Sequence, residues 1–286
     1  MKAEYQTLCL RDGTDLHLKV KEVGSPIWIV ATHGIGEHLE RHSYLTKLFG
    51  SDFNICQYDL RGHGKSGGEG AYVDSFEHFY EDLEEVILYL QSKYKMSRYI
   101  LFGHSMGALI TSGFLQERLS NVTNPELVYL NAPPIGMPGP MGDVLDLAPK
   151  SLFRQLVKLP LSLKLGGLVD LSFLSHNIQV KDDYIHDELN HVKLHSKLLL
   201  ELVKASKYVY SRPLRVDFKA YCSYGSEDKV VGVEAIENYF KHTEKGFKVK
   251  CFEGAYHEIH NEIDKFKRPY FKYLKEVFHS CLYPDS

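Results

Sequence analysis

The sequence has no CxxC spacing, no repeat at a fixed period and no low-complexity segment. Its five cysteines (Cys9, Cys56, Cys222, Cys251, Cys281) are odd in number and widely scattered, which excludes a disulfide framework or a zinc knuckle. Reduced thiols in a cytosol are the expectation. The segment Met1–Tyr5 carries no apolar run, so no secretory signal peptide is expected and the location read from the sequence is cytoplasmic. A net charge of −3 gives no general attraction to nucleic acid. The one long uncharged run, between Arg98 and Glu117, approaches the length of a membrane span. It is interrupted by Gly103, His104, Ser105, Gly107, Thr111 and Gly113, and a strand followed by a buried helix explains its hydropathy without placing those groups in lipid.

What is present suits one large α/β unit: 44% hydrophobic residues, 25% charged, and enough length for a sizeable core. Residues 4–23 alternate polar and apolar around Asp12-Gly13, which predicts a hairpin. Apolar strands follow at 27–31 and 53–58, an amphipathic helix at about 75–94, a strand–helix pair at 99–110 and a strand at 127–130. This alternation implies a mostly parallel sheet wrapped on both faces. It stops at Ala132-Pro133-Pro134. Residues 135–212 read as leucine-rich and helical, broken by Pro138, Pro140, Pro149 and Pro160. The βα rhythm resumes with a strand at 216–222, a helix at about 233–242, a strand at 247–252 and a helix at about 266–280 with Pro269 in its first turn. The division is a core of 1–134 and 213–286, with a cap inserted at 135–212.

Gly103-His104-Ser105-Met106-Gly107 fits the Gly-x-Ser-x-Gly nucleophile elbow, a strand reversing into a helix so tightly that only glycine fits beside the backbone. Serine is a poor nucleophile at neutral pH and needs a base, itself oriented by an acid. An elbow requires the chain order Ser, acid, His. Asp228 and His257 each follow a late strand, on the side of the sheet where Ser105 emerges. Glu227 is the rival acid, and Asp228 is preferred because it sits deeper in its loop. The strand at 127–130 ends in Asn131-Ala132-Pro133, which offers no carboxylate. Two backbone N–H groups must receive the oxyanion. Met106 follows the nucleophile, and Ile35 lies between Gly34 and Gly36, where the backbone has room to face a substrate.

With His33-Gly34-Ile35-Gly36-Glu37-His38, Tyr58-Asp59-Leu60-Arg61-Gly62-His63-Gly64-Lys65-Ser66, Gly225-Ser226-Glu227-Asp228 and Gly254-Ala255-Tyr256-His257-Glu258, the chain resembles the monoacylglycerol lipase and lysophospholipase branch of the α/β-hydrolases. The likeness runs from about residue 5 to 282. Ala108 departs from the glycine that often follows the elbow, and the cap matches only loosely, around Asp183-Tyr184-Ile185-His186. The resemblance implies an eight-stranded, mostly parallel sheet with helices on both faces, Ser105, Asp228 and His257 as triad, Ile35 and Met106 as oxyanion hole, and a single-chain lipid ester as substrate. No cofactor and no metal is implied. Other esterase, thioesterase, acyl transferase or peptidase chemistry is open on the same triad, as is an inactive binding protein. A serine nucleophile excludes epoxide hydrolase and haloalkane dehalogenase chemistry.

Three patterns imitate other sites. Gly64-Lys65-Ser66 ends like a phosphate-binding loop, but the required first glycine is Asp59. His191 and His195 stand four apart without the glutamate of a zinc helix, and read as a solvated helix face. His257-Glu258-Ile259-His260 is too short a cluster for zinc. In the cap, Lys150, Arg154, Lys158 and Lys164 share 150–164 with seven large apolar residues and no acid, and Leu165 follows. Lys150, Arg154 and Lys158 fall on one helical stripe, which fits transient contact with a membrane surface or a helix closing over an apolar acyl tunnel.

Overall fold

The computed structural model describes residues 2–138, 147–158, 162–167 and 170–282. The eight-stranded sheet runs in the order β1-β2-β4-β3-β5-β6-β9-β10. Its strands are β1 (Glu4–Cys9), β2 (Asp15–Lys21), β3 (Ile27–Thr32), β4 (Asn54–Tyr58), β5 (Arg98–His104), β6 (Leu127–Asn131), β9 (Lys219–Gly225) and β10 (Lys248–Phe252). The β1–β2 and β2–β4 pairs are antiparallel, and every later pair is parallel. The sheet is the architecture the sequence implies, an α/β-hydrolase core.

Alternation along β3 explains both layers. Trp28 and Val30 face a cluster built with α2 (Glu77–Tyr94) and α3 (Met106–Glu117), whereas Ile27, Ile29 and Ala31 face α1 (Ser43–Phe49) and a C-terminal helix at Asp264–His279. All six residues of β3 are buried, as a central parallel strand requires. In α2 the apolar face, Phe79, Leu83, Val86, Ile87 and Leu90, is fully buried.

The segment 135–212, expected as a cap, contains among its described residues α4 (Lys150–Leu156), α5 (Gln179–His186) and α6 (Ser196–Val209), together with a two-stranded antiparallel ribbon, β7 (Lys164–Gly166) and β8 (Lys193–His195). It is therefore not wholly helical. His191 and His195 do not share a helix face: His191 lies in a loop, and His195 ends β8, where it is buried. The cationic stripe is shorter than its spacing predicts, because α4 ends at Leu156 and Lys158 falls in the turn beyond it. Pro140, Leu159, Pro160 and Leu161 lie outside the described residues.

Two boundaries in the second half of the core also differ. β9 begins at Lys219 rather than Val216, since Arg215 takes a left-handed conformation (φ 55°) and pairing with β6 starts at Lys219 opposite Leu127. After α7 (Val233–Asn238) comes α8 (Asp264–His279). α8 starts two residues early, so Pro269 sits in its second turn. Asp264 supports that start by accepting from Arg268 at 3.0 and 2.5 Å.

Candidate active site

Ser105 is the single residue between the end of β5 and the start of α3. Its backbone is strained, with φ 52° and ψ −121°, and its N–H donates to the Asn131 carbonyl at 2.8 Å. The flanking glycines are sterically required. A Cβ on Gly103 would stand 2.5 Å from the Gly107 carbonyl oxygen, and one on Gly107 would meet the Thr32 and His33 carbonyls.

The structure brings Ser105, Asp228 and His257 together from the ends of β5, β9 and β10. Asp228 Oδ2 accepts from His257 Nδ1 at 2.7 Å, and its Oδ1 accepts the N–H groups of Val230 (2.7 Å) and Val231 (3.1 Å). With Nδ1 carrying the proton, the neutral imidazole presents Nε2 as an acceptor, 3.0 Å from Ser105 Oγ. All three residues are buried, Ser105 at 6% and His257 at 3% exposure. Burial disfavours the His257 imidazolium, but the Asp228 carboxylate outweighs it and raises the pKa above that of an ordinary histidine. Glu227, the rival acid, is exposed.

Met106 opens α3, so its N–H is among those a helix leaves without an internal partner. Ile35 lies on the loop after β3, which touches the nucleophile: a Cβ on Gly34 would stand 3.2 Å from Ser105 Cβ. A buried charge network that sequence reasoning missed holds that loop. Glu37 Oε1 accepts from Gly34 N–H (2.5 Å) and His42 Nε2 (2.8 Å), and its Oε2 accepts from Arg41 (3.1 Å). Burial penalises this carboxylate, but the hydrogen-bonded His42 ring and the Arg41 guanidinium more than compensate and hold its pKa well below the usual range. Arg41 then donates to both oxygens of Glu258, at 2.7 and 2.5 Å. The only signal available was a run of charged residues directly after a glycine turn and a fully apolar strand.

Neutral histidines form the lining behind the triad. His33 donates from Nδ1 to the Gly34 carbonyl and accepts Leu60 N–H at Nε2, and burial pushes its pKa down to about 3. His104 accepts from Asn131 Nδ2 at 2.8 Å, and its ring lies 5.1 Å from that of His257. His260 sits between the rings of His42 (4.8 Å) and Tyr44 (4.9 Å), with neither nitrogen partnered among the described residues. Among those residues no group of three His, Cys, Asp or Glu could hold a metal ion. Gly64 and Lys65 serve Asp59 instead of a phosphate: Lys65 N–H donates to Asp59 Oδ2 at 2.8 Å.

The 135–212 segment bonds to the loops beside this centre. His191 N–H donates to the Gly36 carbonyl (2.7 Å), and Glu258 N–H donates to the Leu174 carbonyl (2.8 Å). His38 and Asp187 pair at 2.8 Å, and the Arg41 guanidinium lies 4.8 Å from the Tyr184 ring centre. No described helix is long and apolar enough to cross a membrane.

Fold and elbow together define a serine hydrolase of the α/β-hydrolase superfamily. Residues 27–264 match the model of the family described as serine aminopeptidase, S33, and the chain belongs to that family, in the branch that holds the monoglyceride lipases. It is 30% identical over 249 residues to the human monoglyceride lipase, covering 85% of this chain and 79% of that protein. It is 25% identical over 262 residues to a monoglyceride lipase homolog of monkeypox virus, covering 86% and 87%. A soluble variant of the Saccharomyces cerevisiae monoglyceride lipase, solved with a substrate analog, superimposes with a TM-score of 0.81 at 18% identity, covering 97% of this chain and 95% of that one. That likeness concerns the fold.

Proposed function

We propose that the chain hydrolyses the ester bond of single-chain lipids, monoacylglycerols or lysophospholipids, through an acyl-enzyme on Ser105. The observation that carries this reading is the continuous relay from Asp228 through His257 to Ser105, at 2.7 and 3.0 Å. His257 Nε2 takes the Ser105 proton as Oγ attacks the ester carbonyl. The tetrahedral oxyanion is received by the N–H groups of Met106 and Ile35, each donor contributing roughly 10²–10³-fold in rate. The imidazolium, stabilised by Asp228, protonates the departing glycerol oxygen. Water then enters, gives its proton to His257 and attacks the acyl carbonyl. Collapse of the second intermediate returns the proton to Ser105 and releases the fatty acid. No step calls for a metal or a cofactor.

The names of the relatives support a lipid ester over other acyl groups, and the cap supports contact with a lipid surface. Lys150 and Arg154 stand one turn apart on α4 near Leu147 and Leu152, which are 86% and 41% exposed. A reducing, cytoplasmic setting, with peripheral membrane contact, suits cysteines that are all unpaired, three of them buried. A peptidase on the same triad is the second reading, favoured by the description of the matching family.

Turnover of a p-nitrophenyl ester by the parent and by Ser105→Ala tests the nucleophile, and activity retained in the variant overturns the assignment. A panel of monoacylglycerols, lysophospholipids and an aminoacyl amide tests the substrate. Faster cleavage of the amide than of any lipid replaces the lipase reading with the peptidase one.

A further inference from the structure

Glu262 is fully buried just beyond His257, and no step of the chemistry uses it. Its carboxylate gathers donors from three stretches of chain. Oε1 accepts from Tyr256 N–H (2.9 Å) and His176 Nδ1 (2.8 Å). Oε2 accepts from His176 N–H (3.1 Å) and Ile263 N–H (3.1 Å). A carboxylate only accepts, so His176 Nδ1 carries the proton, and these donors occupy its roughly four lone-pair sites. Ser175 Oγ stands farther off at 3.3 Å and donates to the Asn261 carbonyl at 3.1 Å. The His176 ring also stacks on that of Tyr256, with centres 3.7 Å apart.

Tyr256 immediately precedes His257, in a turn after β10 whose two halves are held by different partners. Gly254 N–H donates to Ser226 Oγ at 2.8 Å, and the Ala255 carbonyl accepts Glu227 N–H at 3.1 Å. Those bonds tie the first half of the turn to the loop that carries Asp228. The second half is held by Glu262 at Tyr256, and by the Leu174 carbonyl, which accepts Glu258 N–H at 2.8 Å. The first half therefore sets His257 against Asp228. The second sets the angle at which the ring reaches Ser105.

We propose that Glu262 is a positioning residue: through Tyr256 N–H it holds the His257 ring in reach of Ser105 Oγ. Because His176 shares the carboxylate, that register also depends on the 175–176 segment. The proposal rests on the ester-hydrolase reading, in which His257 is the base. Without the carboxylate, Asp228 keeps its hydrogen bond and the ring pivots on it, so that Nε2 moves off Oγ. A displacement of about 1 Å at a reacting group costs roughly 10²-fold in rate.

The test is p-nitrophenyl ester kinetics and crystal structures of the parent, Glu262→Leu and Glu262→Gln. In Glu262→Leu, kcat is expected to fall roughly 10²-fold with KM held within about threefold. Its Nε2–Oγ separation should exceed hydrogen-bond reach while the bond from Nδ1 to Asp228 persists. Glu262→Gln keeps an amide oxygen for Tyr256 N–H and is expected to recover about tenfold of that loss. Should Glu262→Leu fail to fold, Glu262→Asp takes its place, since it keeps the charge and draws the acceptor back from Tyr256 by one methylene. A folded Leu or Asp variant with the parent's kcat, or with the parent's Nε2–Oγ distance, overturns the proposal. So does a Gln variant as slow as the Leu or Asp variant. If the parent turns over no ester, the hydrolase reading falls, and the crystallographic distances alone decide the positioning role.

Discussion

Arg41 grips both carboxylate oxygens of Glu258, the residue that follows His257, while its other face bonds Glu37 on the loop that carries Ile35. One guanidinium thus joins the histidine loop to the loop beside the nucleophile, across 217 positions of sequence. Removing one partner of such a buried network leaves uncompensated charge, at a cost of about 3–5 kcal/mol. Arg41→Met is expected to lose that much stability in urea unfolding and to lower kcat. Arg41→Met/Glu258→Leu removes both charges of the bridge and is expected to be the more stable of the two. A double variant less stable than the single one contradicts the bridge.

The pH profile follows from His257. In the proposed mechanism this base must be neutral, so kcat/KM is expected to rise with pH through its pKa, which Asp228 holds above the ordinary histidine value. Asp228→Asn removes that support and the tautomer lock, and activity should fall by roughly 10⁴-fold. The acid limb of the residual activity should move to lower pH. A limb that stays in place assigns the titration to another group.

Acid stability reads the other histidines. His33, His63, His104 and His260 are all held below the ordinary histidine value, chiefly by burial. The unfolded chain therefore binds more protons than the native one below its histidine pKa of about 6.5, and stability falls as pH drops. Each such histidine contributes about 1.4 kcal/mol per pH unit until its native pKa is reached. His257, whose native pKa is raised, works in the opposite sense, adding stability at acid pH that is lost as pH rises through it. His260→Phe replaces a ring with no hydrogen-bond partner among the described residues. Urea melts between pH 7 and 5 should show a slope shallower by about one proton in this variant.

Asn131 anchors the elbow from the neighbouring strand. Its carbonyl takes the Ser105 N–H, its Nδ2 serves His104, and its Oδ1 accepts from Ser223 Oγ at 2.8 Å. Asn131→Leu preserves the first bond and leaves two buried polar groups unpaired, costing about 1–3 kcal/mol for each. A loss of that size is expected in denaturant melts, with labelling of Ser105 retained because the backbone bond survives. Loss of labelling in a variant that folds would move Asn131 into the chemistry itself.

The elbow was legible because its constraints are local: two glycines forbidden a Cβ, and one serine between a strand and a helix. The meeting of Asp228 and His257 with Ser105 was legible because chain order and strand ends are written in the sequence. Arg41 and Glu258 were not, since charged residues ordinarily lie at the surface and nothing nearby announces a partner so distant. The four-residue spacing of His191 and His195 suits a helix, yet tertiary pairing made a ribbon of that stretch. Pro269 was misplaced by one turn because the ion pairs of Asp264, which extend α8 upstream, weigh little in a hydropathy pattern.

Two of the backbone bonds that join the 135–212 segment to the core involve Gly36 and Glu258, immediate neighbours of Ile35 and His257. Weakening those bonds is therefore expected to disturb the segments that carry Ile35 and His257. A variant with weakened bonds here is expected to lose kcat along with any gain in access.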